Sequence, residues 1–391
     1  MKNKDVQKLI ANTFNRIAED LEQSVATRKT KIGITTLGSN TLINNIVKAA
    51  EATMNNLTSC DIVLIGKKVD TVLENIEIPQ NNIHVKMEQL LDNGMLDVCI
   101  TSNYNFPIGV ATIGRIITPH RGREMFIAST TGSLSSNRIE AMIKNAIYGI
   151  STAKACGIKN PTVGILNVDG AIKVEKALQQ LNDNGYSINF AKSIRSSKNS
   201  CIMRGNDLLT GTPDVMVQDT LTGNILIKVF SSFMSGGESE SVGYGYGPGL
   251  SDTYKRNILI ISRASGIPVI SNAIRYAIDL VNGKINNTLN NEIRLAEDAN
   301  LSGVLKIYAG DKYTSVDGII PPKQEIVNSI IAGIDILDLD SAIGVLWQNG
   351  IYGESGMGCV GPVILINEHK REQAVDILKN ADYIGYNKSN C

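Results

Sequence analysis

From Lys31 onward the chain repeats one rhythm: short runs of β-branched residues, apolar at successive positions, separated by stretches of helical period. The runs are Lys31 to Thr36, Asp61 to Ile65, Asp97 to Thr101, Met125 to Ser129, Thr162 to Asn167, Asp214 to Gln218 and Asn257 to Ser262. A strand that is apolar on both faces must be covered on both, and this rules out a half-solvated antiparallel sheet. Between the runs, Asn137 to Gly157, Ala171 to Asn184 and Val269 to Val281 carry helical spacing. Alternation of this kind predicts an α/β fold: a mostly parallel sheet covered by helices. A chain of 391 residues is ample for such a core, with room for a second unit.

The organisation along the chain follows from where the rhythm starts and stops. In residues 1–29, Val6, Leu9, Ile10, Phe14, Ile17 and Leu21 fall at steps of three and four, which predicts an amphipathic lead-in helix. Residues 30–310 carry the main domain. The run Ser235 to Gly249, rich in glycine and serine, is expected as a mobile loop or lid. Residues 311–322 lose periodicity and end in Pro321-Pro322, which marks a linker. Residues 323–391 then form a small C-terminal α/β piece: a helix from Asp338 to Asn349, a glycine turn from Gly353 to Pro362, a strand from Val363 to Asn367 and a helix to Asp382.

Composition excludes several classes of function. The 38 Lys and Arg balance 38 Asp and Glu, so no net field draws in nucleic acid or an anionic membrane. No apolar run approaches the roughly 18 residues of a membrane span, and Met1-Lys-Asn-Lys-Asp5 does not open a signal peptide. Six cysteines, Cys60, Cys99, Cys156, Cys201, Cys359 and Cys391, lack paired spacing, which suits a reducing cytoplasm. The three histidines, His84, His120 and His369, make no triad or metal spacing with them, so no metal is expected.

The segment Arg204 to Lys228 carries the strongest local signal. A buried strand empties into Asp219-Thr-Leu-Thr-Gly-Asn224 and then a helix. In an open α/β sheet, ligands bind beyond the carboxyl ends of strands, where a helix N-terminus favours an anion. Asp219, Thr220, Thr222, Gly223 and Asn224 suit that task; the alternative is a helix cap with a glycine for close packing. The pattern Asp-x-x-x-Gly-Asn-x-x-x-Lys resembles the phosphate-side motif of the acyl-ACP:phosphate acyltransferases and, more loosely, the phosphate acetyltransferases. Those families share a doubly wound fold with a cleft, so the resemblance implies a three-layer, doubly wound, mostly parallel α/β sheet with a cleft.

Over nearly its whole length the chain more closely resembles the alpha subunits of component C of the glycine/sarcosine/betaine reductase complex. The resemblance rests on Ile32-Gly-Ile-Thr-Thr-Leu-Gly38, Tyr104-Asn-Phe-Pro-Ile-Gly109, Thr162-Val-Gly-Ile-Leu-Asn-Val-Asp-Gly170 and Gly356-Met-Gly-Cys-Val-Gly-Pro362. It implies a complex, acting in Stickland-type amino-acid fermentation, in which a carboxymethyl group on selenoprotein A becomes an acetyl thioester on component C and is released by phosphate as acetyl phosphate. The implied partners are that selenoprotein and the ketoacyl-synthase-like beta subunit of component C, with phosphate as co-substrate and no cofactor. The alternatives are a free-standing phosphate acyltransferase using a coenzyme A or carrier thioester, and a non-catalytic scaffold subunit. Where the acyl-ACP enzymes carry acidic and paired-glycine residues after the first strand, this chain has Thr35-Thr-Leu-Gly-Ser39, which departs from the fatty-acid pattern.

Cys359, between Gly358 and Gly361, is the expected acyl-carrying thiol, since glycines let backbone amides approach a developing oxyanion; the alternative is a structural cysteine. Further candidates for phosphate are Arg263, and Ser271, Asn272 and Arg275 in a region resembling the Pro-Val-rich segment that lines the phosphate acetyltransferase cleft. Each reads equally as a surface charge or a cap. Cys99, Asp169 and the basic turn His120-Arg-Gly-Arg123 complete the candidates, with a core position or a solvated surface as the competing readings.

Overall fold

A computed structural model of the chain describes residues 29–107, 109–132, 134–135, 137–194, 200–308, 319, 321–334, 338–358, 361–381 and 383–384. Residues 1–28 of the expected lead-in helix and most of the expected linker lie outside the described residues.

The main body has the strands β1 (Thr30–Thr36), β2 (Cys60–Gly66), β3 (Glu74–Glu77), β4 (Val98–Thr101), β5 (Ala111–Ile117), β6 (Glu124–Gly132), β7 (Thr162–Leu166), β8 (Asn189–Phe190), β9 (Ile202–Met203), β10 (Val215–Val217), β11 (Gly247–Leu250) and β12 (Ile258–Ile260). Its helices are α1 (Asn40–Asn56), α2 (Ile83–Asp92), α3 (Arg138–Ala155), α4 (Ala171–Asp183), α5 (Gly205–Thr210), α6 (Thr220–Ser232), α7 (Ile267–Asn282), α8 (Ile285–Asp298) and α9 (Leu301–Tyr308). A C-terminal unit adds β13 (Ser329–Ala332), α10 (Leu339–Gln348), β14 (Gly353–Gly358), β15 (Gly361–Ile366) and α11 (Arg371–Asn380).

One twelve-stranded sheet runs β3-β2-β1-β4-β12-β11-β5-β6-β10-β7-β8, with β9 also on β7. Pairing is parallel from β3 to β12 and again from β6 to β8, as the sequence predicts. Between those halves β11 is antiparallel to β12 and to β5, and β5 is antiparallel to β6. The two parallel halves therefore point in opposite directions within one sheet.

Strand alternation sorts the core onto two faces. Ile32, Ile34, Leu64, Ile100, Phe126, Ala128, Val215 and Val217 face the layer containing α1, α3, α4, α7, α8 and α9. Val63, Ile65 and Cys99 face α2, while Met125, Ile127 and Met216 face α6. Both faces are covered, so the fold is the doubly wound α/β arrangement expected from strands apolar at successive positions.

Two expectations are corrected. The run Ser235 to Gly249 is not a lid: Glu240, Gly243, Gly245 and Tyr246 are buried, and β11 occupies the middle of the sheet. Gly245 and Gly247 serve close approach to the Ile260 and Ile113 carbonyls, whereas Gly236 and Gly237 face open space. At Gly247 φ is 88°, and a Cβ there would stand 1.7 Å from the carbonyl oxygen of Ile113. Within the expected glycine turn, Gly353–Gly358 is a strand, with β14 antiparallel to β15 in register from Gly353↔Ile366 to Gly358↔Gly361. With β13 they form a separate three-stranded sheet whose core joins Ile331, Ile364 and Ile366 to Ala342, Leu346 and Leu378.

Candidate functional site

At the end of β10 the chain turns into α6, and Asp219 is its N-cap. Its Oδ1 accepts from the Thr222 amide at 3.0 Å and its Oδ2 accepts from the Thr222 hydroxyl at 2.6 Å. The capping alternative therefore describes how the fold uses Asp219. The rest of the motif seats the helix on the end of β6. Asn224 Nδ2 donates to the Thr130 carbonyl at 3.0 Å, and the Thr220 and Ser129 hydroxyls lie 2.9 Å apart. Gln218 Nε2 donates to the Ser129 carbonyl at 3.1 Å. Hydroxyls continue along β5 and β6, where Thr112 Oγ1 lies 2.7 Å from Thr130 Oγ1 and 2.9 Å from Thr131 Oγ1.

A second polar edge forms at the carboxyl ends of β1, β4 and β12. From β1 the chain moves to β2 on one side and later to β4 on the other, so the sheet reverses its winding between β1 and β4. Ligand sites of open α/β sheets lie at such points. Here Thr35 Oγ1 donates to Thr101 Oγ1 at 2.7 Å, Ser102 Oγ donates to the Leu37 carbonyl at 2.9 Å, and Ser39 caps α1. The turn Ser262 to Gly266 leads from β12 into α7 and presents Arg263 to solvent. Asn45 of α1 donates to the Ser265 carbonyl at 3.5 Å, tying the two helix starts together.

Glu240, which the sequence reading passed over, packs against that turn with 4% of its surface exposed. Burial pushes its carboxyl up, opposed by hydrogen bonds from Tyr246, Ser265 and Ser262 and by the charge of Lys228. Flanked by serines in a glycine-rich stretch, it has no periodic signal that sequence could supply.

The other predicted residues are dispersed. Ser271 is half-buried, and Asn272 Nδ2 donates to the Gly243 carbonyl at 3.1 Å. Arg275 is exposed, and its place in α7 puts it roughly 12 Å along the helix from the first turn. It lines a cavity of about 230 Å³ with Leu57, Ser59, Arg115, Tyr244 and Asp279. Arg115, also missed, is nearly buried: Nη1 donates to Asp279 at 2.8 Å, Nε donates to Glu124 at 3.1 Å, and the guanidinium lies 4.3 Å from the centre of the Tyr244 ring. Its charge is already matched by the two carboxylates.

Cys99 is fully buried on β4 among Val63, Ile65 and Ile258, and burial pushes its thiol far up, which is the core reading. Asp169 is an exposed partner of Arg138 at 3.2 Å, and Arg123 pairs with Asp214 at the same distance. Cys359 and Cys391 lie outside the described residues. β14, which ends one residue before Cys359, comes within 8 Å of β6, Cα to Cα. The C-terminal unit therefore lies against the strand on which α6 is seated. Among the described residues no group of His, Cys, Asp and Glu is placed to hold a metal ion, and no helix is long and apolar enough to cross a membrane.

The covered, mostly parallel sheet defines a doubly wound α/β protein, and the family model described as "Fatty acid synthesis protein" matches residues 30–365. The chain belongs to that family, and within it to the component C alpha subunits: it is 51% identical over 383 residues to the "Glycine/sarcosine/betaine reductase complex component C subunit alpha" of Peptoclostridium acidaminophilum, covering 97% of this chain and 99% of that one. It is also similar to a phosphate acyltransferase of Geobacillus sp. (strain WCH70), 28% identical over 163 residues, 37% of this chain and 46% of the relative. A phosphate acyltransferase of Thermotoga petrophila is 24% identical over 238 residues, 51% of this chain and 67% of that one.

Proposed function

We propose that this chain is the subunit of a glycine-reductase-type complex that transfers an acetyl group from a thioester to phosphate, releasing acetyl phosphate. The carrying observation is the full-length similarity to a component C alpha subunit, combined with membership of a family that includes phosphate acyltransferases. A phosphate oxygen attacks the thioester carbonyl, the tetrahedral intermediate collapses, and the thiolate leaves as acetyl phosphate forms. Phosphate is itself the anionic nucleophile and thiolate a good leaving group, so positioning and charge stabilisation carry the rate.

Phosphate is assigned to the Arg263 turn at the start of α7, where an exposed arginine precedes a helix N-terminus. Thr220, Thr222 and Asn224 define the opposite polar edge. Cys359 is assigned as the acyl-carrying thiol, and the proposed partners are the beta subunit of component C and selenoprotein A, in the cytoplasm, with no cofactor beyond phosphate as co-substrate. The partial coverage of the phosphate acyltransferases favours a complex subunit over a free-standing acyltransferase.

The test is release of acetyl phosphate, trapped as the hydroxamate, from an acetyl thioester presented to the full chain with its partner subunit. Arg263→Ala is expected to raise the KM for phosphate, Cys359→Ala to abolish release and Cys391→Ala to leave it intact. Release that does not depend on phosphate would overturn the reaction assigned, and full activity of Cys359→Ala would remove the covalent role.

A further inference from the structure

We infer that Glu240 is a positioning residue for the phosphate site, holding the Ser262 to Gly266 turn, and with it Arg263, through Ser265 and Tyr246. The inference rests on the assignment of phosphate to that turn.

The contacts are directional. Glu240 Oε1 accepts from the Tyr246 hydroxyl at 2.8 Å, and Oε2 accepts from the Ser265 hydroxyl at 3.0 Å. Ser265 Oγ in turn accepts from the Ser262 amide at 2.9 Å, so amide, hydroxyl and carboxyl form one relay across the turn. The backbone grips the same loop twice: the Glu240 amide donates to the Ala264 carbonyl at 2.9 Å, and the Gly266 amide donates to the Glu240 carbonyl at 2.7 Å. Arg263 stands in the middle of this frame, its own side chain in solvent.

The frame reaches the other polar edge as well. Thr130 Oγ1 donates to the Tyr246 carbonyl at 2.8 Å, and the Thr130 carbonyl accepts from Asn224 of α6. A continuous path of hydrogen bonds therefore joins the start of α6 to the turn before α7, with Glu240 at its centre. Burying a carboxyl is costly unless its oxygens are paired, and a loop that only had to close needs no such group. Its two side-chain oxygens pair with both hydroxyls at once and hold the turn in one arrangement. Glu240 is enclosed and acts on phosphate only through Arg263.

The test compares Glu240→Gln, which keeps shape and one acceptor, with Glu240→Leu, which keeps bulk and removes the pairing, in the full chain with its partner subunit. Loss of the relay is expected to raise the KM for phosphate roughly tenfold in Glu240→Leu, with kcat at saturating phosphate nearly unchanged and Glu240→Gln close to wild type. Amide exchange over residues 262–266 should quicken in Glu240→Leu and not in Glu240→Gln. A wild-type KM in Glu240→Leu overturns the positioning role even if exchange quickens. If Glu240→Leu fails to fold, Ser265→Ala removes one arm of the relay and the same KM rise is required of it. Should the wild-type protein show no phosphate-dependent release, the phosphate assignment itself falls; exchange over 262–266 that is then unchanged in the variants overturns the clamp separately.

Discussion

Gly223 of α6 lies against the carbonyl oxygen of Ser129 with no space for a side chain: a Cβ at that position would stand 1.8 Å from the oxygen. The obstacle is backbone, which cannot turn aside as a flexible side chain can. Gly223→Ala must lift the first turn of α6 off β6 and strain the Asn224 to Thr130 contact with it. The expected cost is at the upper end of the roughly 1–3 kcal/mol typical of overpacking, or beyond it. Urea denaturation measures it, and a variant within 0.5 kcal/mol of wild type, about the scatter of surface substitutions, would contradict the packing.

Asp219 separates a structural from a chemical role. As an N-cap its carboxylate is replaceable by another short acceptor, so Asp219→Ala is expected to cost about 1 kcal/mol and Asp219→Ser only a fraction of that. If capping is its whole contribution, Asp219→Ser also keeps acetyl phosphate release near wild type. A serine variant that is stable yet inactive would give the carboxylate a part in the chemistry.

Much of the frame was legible because period and burial are written in sequence. Strands such as Ile32 to Thr36 and Val98 to Thr101 are apolar on both faces, which only a doubly covered sheet explains. The N-cap Asp219 and the packing glycine at 223 were legible as alternatives to a phosphate loop, and the geometry realises both. What escaped depends on contacts distant in sequence. Arg115 and Asp279 are 164 residues apart, and neither sits in a motif. Glu240 was hidden because glycine signals flexibility and close approach alike, and only the neighbouring strands decide which. The Gly353 to Gly358 strand was missed for the same reason: its pairing with β15 sets its conformation, against the turn preference of its glycines.

Asp207 predicts an acid limb of stability. Burial raises its carboxyl, but hydrogen bonds from the Arg204 and Ile194 amides and from the Ser193 and Thr212 hydroxyls outweigh burial and hold it below the usual range. A group depressed in the folded state adds stability that is fully present above its unfolded pKa and is lost as pH falls through its folded one. Wild-type stability should therefore decline below about pH 4, the ordinary carboxylate range, and Asp207→Asn should flatten that part of the decline while lowering stability at pH 7. Urea midpoints across pH 3 to 7 give the comparison, and parallel curves for the two proteins would remove Asp207 from the account.

Gly33 and Cys99 face each other across β1 and β4, and a Cβ on Gly33 would meet the Cys99 sulfur at 2.7 Å. The Leu96 methyl stands at the same distance and Ile65 at 3.0 Å, so the pocket is tight on three sides. Gly33→Ala alone should destabilise by overpacking. Cys99→Ala alone should destabilise by leaving a small void. Together the new methyl takes part of the space the sulfur vacates, so the double variant should lose less than the two single losses combined, with a coupling of about 0.5–2 kcal/mol. Relief is only partial, because Leu96 remains in place. Strict additivity would mean that the two positions do not share this space. The same burial keeps the Cys99 thiol protonated, so iodoacetamide at pH 8 should leave it unmodified in the folded protein and label it once urea opens the core. Labelling in the folded state would place this sulfur in solvent and revive Cys99 as a candidate for the chemistry assigned to Cys359.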